Sequence, residues 1–388
     1  MLNQVIISII VLLLPTYLVR WSVFNIPTTL LEIVIYIALI LTLVQKSSWS
    51  NLWSRLKNRS LLWLGLFVIA NLVGVIIASD KTMALGAFKG WIIDPILVML
   101  IVFCQSDVKK TYQTVVLGLS VSGVIVAIWG LFQSLGLMTI LLPAQLGDSG
   151  FANYLIGHRA VGPFESPNYL AMYLVPVWFI LLGLKVSNPT AARLKWVSLA
   201  VICLAVVATQ SLGGWLAFIA GLVMSFVFWP SRRSISINPR MMLWLMALGV
   251  GMAVIIMLPM KFESSIGPRL TIWRDAVADI FTQPILGQGL RQYAVNLDMQ
   301  SHNHPHNLYL ATWIYSGLFG LLSFLALTWQ SLRETTKNNL TLFLSYALVT
   351  ILVHGLIDTT VWKNDLAIIF WIIIGLIYIA KQPITTKS

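Results

Sequence analysis

Charge is what this sequence has least of. Only 10% of its 388 residues are Asp, Glu, Lys or Arg, against 58% hydrophobic, a balance outside the range of soluble domains. Acid is the scarcer sign, with 13 Asp and Glu against 25 Lys and Arg, a net charge of +12. Cysteine is nearly absent: Cys104 and Cys203 both fall inside apolar runs, which excludes a disulfide framework and a cysteine-based metal site. The first segment has neither a basic n-region nor a small-residue cleavage site, so it reads as a retained helix and not a signal peptide. Internal repeats, low-complexity tracts and polar linkers are missing as well, and the expectation is one integral membrane domain over residues 1–388.

What the chain does have is apolar runs. Twelve recur, at about residues 2–19, 26–44, 61–78, 87–104, 112–135, 169–184, 196–208, 213–229, 241–258, 308–328, 340–356 and 366–380. Each approaches the ~20 residues that cross a hydrocarbon core of about 30 Å. Backbone groups in lipid must bond within their own segment, so such runs are helices, and the fold class is an all-α polytopic membrane protein of about 12 transmembrane helices. The net positive charge could suggest nucleic acid, but its distribution excludes that reading. With the N-terminus inside, the inner loops and C-terminal tail hold 16 of the 25 basic residues and only two acidic ones, Asp107 and Glu334. The excess is therefore a record of topology, with both termini cytoplasmic.

Under this topology the inner loops are short, and two outer loops are long: residues 136–168 and 259–307. In the second, RLTIWRDAVADIF follows Pro268 and places Leu270, Trp273, Val277, Ile280 and Phe281 near helical spacing, with Arg269 and Arg274 at the edges of that face and Asp275 and Asp279 behind it. This predicts a short amphipathic helix at the interface, whose arginines reach phosphates or merely snorkel as anchors. Pro284, Gly287 and Gly289 then break the pattern into a loop ending at Arg291. Next comes HNHPHN, with three of the chain's five histidines. Pro305 argues against a helix there, and an extended segment would project His302, His304 and His306 to one side. Three readings stay open: an imidazole base or phosphate partner, polar residues at an interface, and a zinc site. Extended histidines at alternate positions converge poorly on one tetrahedral ion, so no metal is assigned.

The first outer loop carries Arg159 in RAVGPFESPN, where Gly162, Pro163 and Pro167 make a tight turn before Asn168 opens the next run; an ordinary solvated turn is the alternative. The TQSLGGW turn joins two runs closely, and HGLID places His354 and Asp358 at the outer end of the eleventh run, where capping or interface solvation is the default reading. Glu32, inside a predicted span, marks a polar cavity or a pairing within the bundle.

Taken in order, RAVGPFESPNYLA, TQSLGGW, RLTIWRDAVADIFTQPILGQGL, HNHPHNLYLATWIYSGLFGLL and HGLID resemble the O-antigen ligase and O-antigen polymerase family of bacterial envelope enzymes, over about residues 159–358. The resemblance implies a GT-C-like membrane glycosyltransferase with two long periplasmic loops. It would take a glycan from an undecaprenyl diphosphate carrier at the outer face of the inner membrane and join it to an acceptor sugar hydroxyl, with no metal or cofactor. The acceptor is the lipid A core for a ligase, or a growing chain for a polymerase. The family's motifs fall on Arg159, Arg269 and His306, the last as general base; Arg274, Arg291, His304, Asn307, Asn168 and Asp358 are candidate substrate-binding residues, and His302 helps to hold the loop. The chain departs from the family pattern at Leu212, where an arginine is frequent, and at Tyr315, where a glutamate is frequent. A transporter, or a catalytically inactive scaffold, is the alternative from another class. The lack of paired interrupted helices in the runs argues against transport.

Overall fold

A computed structural model describes residues 2–23, 26–57, 61–138, 151–228, 251, 266–297, 300–335 and 341–381. In chain order these form α1 (Leu2–Leu13), a β1–β2 hairpin (Arg20–Val23 and Ile26–Thr29), α2 (Leu30–Leu43), α3 (Lys46–Leu56), α4 (Leu62–Ile77), α5 (Lys81–Phe88), a π-helical segment (Lys89–Ile93), α6 (Asp94–Phe103), α7 (Val108–Ser134), α8 (Phe151–Ile156), α9 (Pro167–Leu182), α10 (Pro189–Ala208), α11 (Leu212–Val227), α12 (Gly267–Thr282), a β3–β4 hairpin (Val295–Leu297 and Gln300–His302), α13 (Leu308–Thr335), α14 (Leu342–His354) and α15 (Asn364–Lys381).

Eleven of the twelve predicted runs overlap helices, but length sorts them. Four stretches, Lys81–Phe103, Val108–Ser134, Pro189–Ala208 and Leu308–Thr335, are long and apolar enough to cross a membrane; α2 with Ser48–Leu56, bent by 102°, is a fifth candidate. Six shorter apolar helices of 10–17 residues cover six further runs. The run at 241–258 lies outside the described residues. By length and composition the described residues thus carry four to five candidate spans, beside six shorter apolar helices at other expected runs.

By contacts the chain divides into two compact units, each drawn from separated segments: Met1–Val34, Lys109–Pro259 and Asn339–His354 in the first, and Ile35–Val108, Met260–Asn338 and Gly355–Ser388 in the second. In the first unit α9 is apolar on all sides and almost wholly buried, as a helix without a polar face must be. Ser166 caps it, accepting a hydrogen bond from the Tyr169 amide, and Pro167 follows as the first helical residue, where its missing N–H costs nothing. The helix packs on α10, α11 and α14. Trp178 meets Phe179 and Phe218 edge-to-face at 4.8 and 4.9 Å, and a Cβ at Gly221 would fall 2.3 Å from the Phe179 ring.

Glu32 takes part in a helix cap. It lies in the first turn of α2, where its Oε2 accepts from the Thr29 amide while Thr29 Oγ1 accepts from the Glu32 amide. That reciprocal capping box satisfies the helix start and needs no polar cavity.

In the second unit α15 is the buried centre, packed on α6, and α4 lies along α13. Phe67 meets Phe324, Trp362 and Trp371 with centroids 5.9 to 6.1 Å apart. Against expectation, α13 is interrupted: Gly317 sits at φ 66°, ψ −173°, a region essentially restricted to glycine. The loop after α12 supplies the partners that the break removes. The Leu318 amide donates to the carbonyls of Pro284 and Ile285, and the Ile314 carbonyl accepts from the Gln288 amide at 2.8 Å. A Cβ at Gly317 would fall 2.0 Å from the Ile285 carbonyl. The break anchors a loop, which is a different use from the ion-lined breaks of transporters.

The positive-inside reading predicts cysteine accessibility. With Cys104 and Cys203 buried, a membrane-impermeant maleimide added outside intact cells should label Gln283→Cys and His158→Cys, and not Ser106→Cys or Ser187→Cys. Labelling of the second pair would invert the topology.

Candidate active site

Pro268 opens α12, and its buried face is Ile272, Ala276 and Ile280. Arg269, one turn ahead of that row, projects the same way with a side chain only 12% exposed. Of the expected apolar face, Ile280 is buried, while Leu270, Val277 and Phe281 are exposed, at 52%, 39% and 76%. The expected amphipathicity is real, but its apolar stripe faces outward, as suits an interfacial helix. Arg274 lies near that stripe with its side chain 81% exposed, 3.6 Å from Asp275, and does not join Arg269.

At the start of α13, Asn307 is the N-cap. Its Oδ1 accepts from the Tyr309 and Leu310 amides at 2.9 and 3.0 Å. Its amide nitrogen donates to the Leu356 carbonyl at 3.0 Å, and the Leu308 amide donates to the Gly355 carbonyl at 2.7 Å. Two bonds thus fasten the HPHN segment to the turn after α14. His354, expected at an interface, is buried at the end of α14.

The histidine segment is not extended throughout. His302 ends β4, paired with Val295, but the chain then bends and His306 takes a left-handed backbone, φ 46°. That conformation is uncommon outside glycine. It is held by Trp273, whose indole N–H donates to the His306 carbonyl at 3.3 Å, and by His304, whose Nδ1 accepts from the His306 amide at 3.4 Å. The bend swings the rings of His304 and His306 to 4.1 Å, at 62°.

Asp358 is where these elements meet. It is buried, with Oδ1 3.2 Å from His306 Nδ1 and accepting from the Thr359 amide at 2.9 Å. Arg269 stands 3.8 Å from Oδ2 and donates through Nε to the Ile357 carbonyl at 3.0 Å. Burial opposes charge on this carboxyl, but His306 and its hydrogen bond, then His304 and Arg269, outweigh burial and hold it well below the usual carboxylate range. An ionised carboxylate only accepts. His306 Nδ1 therefore carries the proton, and in the neutral ring Nε2 keeps the lone pair. Asp358 thus has a larger part than the capping or substrate contact expected of it, and Trp273 was not expected at all. The cue for Trp273 was an indole N–H in a helix destined for an interface.

The structure brings together Arg269, His304, His306, Asn307 and Asp358. Arg291 lies elsewhere in the same unit, exposed, at φ 58°, with its guanidinium carbon 5.7 Å from the centre of the Trp91 ring. Arg159 and Asn168 belong to the other compact unit. There Arg159 donates to the carbonyls of Thr209 and Gln210 at 2.9 and 3.4 Å and lies over Tyr154 at 5.5 Å, a cation at the C-terminal end of α10. Asn168 sits in the first turn of α9. The left-handed non-glycine residues among those described are His158, Gln210, Arg291 and His306, and each is a candidate residue or adjoins Arg159 or its partners. Strain of this kind gathers at functional sites.

One finding reopens the metal question: His304, His306 and Asp358 offer ligand atoms within 4.8 Å of one another. The argument that these histidines cannot converge fails, because the bend brings two of them to one carboxylate.

An imidazole oriented by a buried carboxylate, with a guanidinium beside it, at the loop ends of apolar helices, defines a membrane protein equipped for proton transfer next to anion binding. The O-antigen ligase family model matches residues 197–325, which include Arg269, Arg291, His304 and His306. A Rickettsia conorii protein provisionally named a polysaccharide ligase is 28% identical over 141 residues, 32% of this chain and 33% of the relative. The chain thus spans about a third of that relative's length. Each match is a likeness to proteins of the O-antigen ligase kind over about a third of this chain.

The depressed Asp358 carboxyl makes a stability prediction. A group whose folded pKa lies below its unfolded value, about 3.9 for Asp, contributes stability that is present above that value and lost as pH falls. The apparent unfolding temperature of the purified protein, at fixed scan rate, should therefore fall more steeply between about pH 5 and pH 3 than that of Asp358→Asn. Parallel curves would mean that this carboxyl is not charged in the fold.

Proposed function

We propose that this chain is a membrane glycosyltransferase of the O-antigen ligase kind, which moves a glycan from an undecaprenyl diphosphate carrier to an acceptor sugar hydroxyl at the outer face of the inner membrane. The observation that carries the reading is the Asp358–His306 pair, 3.2 Å apart, with Arg269 beside it. A sugar hydroxyl is a weak nucleophile and needs a base. Imidazole, with an unperturbed pKa of about 6.5, suits that task at neutral pH. As the acceptor oxygen bonds to the anomeric carbon, its proton passes to His306 Nε2, and Asp358 stabilises the imidazolium through Nδ1–H. The bond from that carbon to the diphosphate oxygen breaks, and the electron pair leaves with the diphosphate. Guanidinium groups stabilise the charge that accumulates there, and Arg269, beside Asp358, is assigned that part. The proton balance closes within the site, and no metal is required.

The cluster of His304, His306 and Asp358 favours one other reading, a metal held by two imidazoles and a carboxylate, the ligand set of several catalytic zinc sites. It would consume the Nδ1–H to Asp358 bond that orients His306 as a base, so the two readings exclude each other.

One set of measurements separates them: transfer from a purified undecaprenyl diphosphate-linked glycan in nanodiscs. His306→Ala should slow transfer by roughly 10²- to 10⁴-fold, Asp358→Asn should lower kcat more than it changes KM, and EDTA should leave the wild type unaffected. Wild-type rates from a folded His306→Ala protein would remove the base. Activity lost to EDTA and restored by zinc would make the histidines ligands.

A further inference from the structure

The bend at Pro305 that carries His304 and His306 to Asp358 gives the same three side chains a second use. Asp358 Oδ1 and His306 Nδ1 stand 3.2 Å apart. Two atoms bound to one tetrahedral zinc, at about 2.0 to 2.2 Å each, lie ~3.4 Å from one another, so this pair already has the spacing of two zinc ligands. His304 is the third: the three side chains offer ligand atoms within 4.8 Å of one another, and the two imidazole rings are 4.1 Å apart at their centres. Closing the remaining gap takes rotation of one half-buried ring. The bond which that rotation gives up, from the His306 amide to His304 Nδ1, is long at 3.4 Å.

Two imidazole nitrogens and one carboxylate oxygen suit zinc better than magnesium or calcium, which take oxygen ligands. Contacts behind the ligands are in place as well. The Thr359 amide donates to Asp358 Oδ1 at 2.9 Å, and the Trp273 indole holds the His306 carbonyl at 3.3 Å. The His306 side chain is 22% exposed, which leaves a side for an ion to enter and for water as the fourth ligand. One neighbour opposes a cation: Arg269, 3.8 Å from Asp358 Oδ2. Three protein ligands beside a fixed positive charge make a site that loads and unloads, unlike a closed site of four ligands.

Zinc in that position removes what a base needs. A neutral imidazole carries one proton and one lone pair. When the Nδ1–H bond gives way to a bond from Nδ1 to zinc, the proton returns to the ring at Nε2 through water. The Nε2 lone pair, which the proposed transfer gives to the acceptor proton, is then occupied, and Asp358 is held by the metal instead of orienting the ring.

We propose that His304, His306 and Asp358 form an inhibitory zinc site, and that the ion, when bound, switches the protein off. The inhibition rests on the reading of His306 as the base; the zinc site does not.

The test uses the purified full chain, without a histidine tag, in nanodiscs. Zinc is titrated against a chromophoric chelator, cobalt replaces it for the visible spectrum, and transfer is measured over the same range of zinc. A single zinc per chain is expected, undisturbed by excess magnesium, with a tetrahedral cobalt spectrum. Partners behind a metal ligand are worth about 10- to 100-fold in affinity, so His304→Ala and Asp358→Asn should each weaken zinc by roughly 100-fold or more. His304→Ala should also raise, by a similar factor, the zinc concentration that halves its own rate of transfer. His158→Ala, in the other compact unit, should leave zinc affinity within about twofold. Unchanged zinc affinity in His304→Ala, a cobalt spectrum that is not tetrahedral, full-rate transfer with the site saturated, or transfer that requires zinc would each overturn the proposal. Zinc bound with this ligand dependence in a protein that shows no transfer, with or without the ion, would keep the metal site and refute the glycosyltransferase reading, so the two fail separately.

Discussion

A carboxylate buried at the end of an apolar helix pair is the constraint around which the candidate site is arranged. Asp358 is 2% exposed, and an unpaired charge at such depth would cost several kcal/mol. Three separate pieces of chain answer it: the Thr359 amide from its own turn, Arg269 from α12, and His306 from the segment before α13. Each answer fixes something else. Arg269 fixes the rotation of α12, because the residues that must face inward with it are Ile272, Ala276 and Ile280. His306 reaches Asp358 from a left-handed backbone, which in turn needs the Trp273 indole and the His304 ring.

The second constraint is the broken backbone of α13. In apolar surroundings every freed amide and carbonyl needs a protein partner, and at Gly317 those partners come from the loop after α12. The sequence PILGQGL is shaped by that demand. A Cβ at Gly287 would meet the Ile314 carbonyl at 2.5 Å, and one at Gly289 would lie 2.8 Å from Ala78. The loop that repairs the break is also the loop that ends at Arg291.

Much of the helical layout was legible, because hydropathy reports burial in lipid or protein directly: the runs at 61–78, 169–184 and 366–380 became α4, α9 and α15 with ends shifted by one or two residues. The cap at Glu32 was missed because hydropathy does not see caps, although the Thr29-to-Glu32 spacing of a capping box was there to find. Which face of α12 packs on protein was not legible, for a different reason. At a membrane interface the most apolar residues face lipid, so the side that packs on protein can carry an arginine, as Arg269 does. The identity of His306 was legible from its motif, but its partner lies 52 residues away, and no local pattern states that distance. The bend at Pro305 defeated the alternation argument in the same way, since strand periodicity holds only where the backbone is a strand.

The charge balance of the site limits what each cation can do. Arg269 and Asp358 largely cancel one another's charge. In the transfer proposed above, a proton passing to His306 would add a positive charge to the cluster as negative charge gathers on the leaving group, and electrostatic stabilisation is greatest when it appears in the transition state and not before. Asp358 has thus claimed Arg269, whereas among the described residues no carboxylate pairs with Arg291, which lies over Trp91 in the same unit.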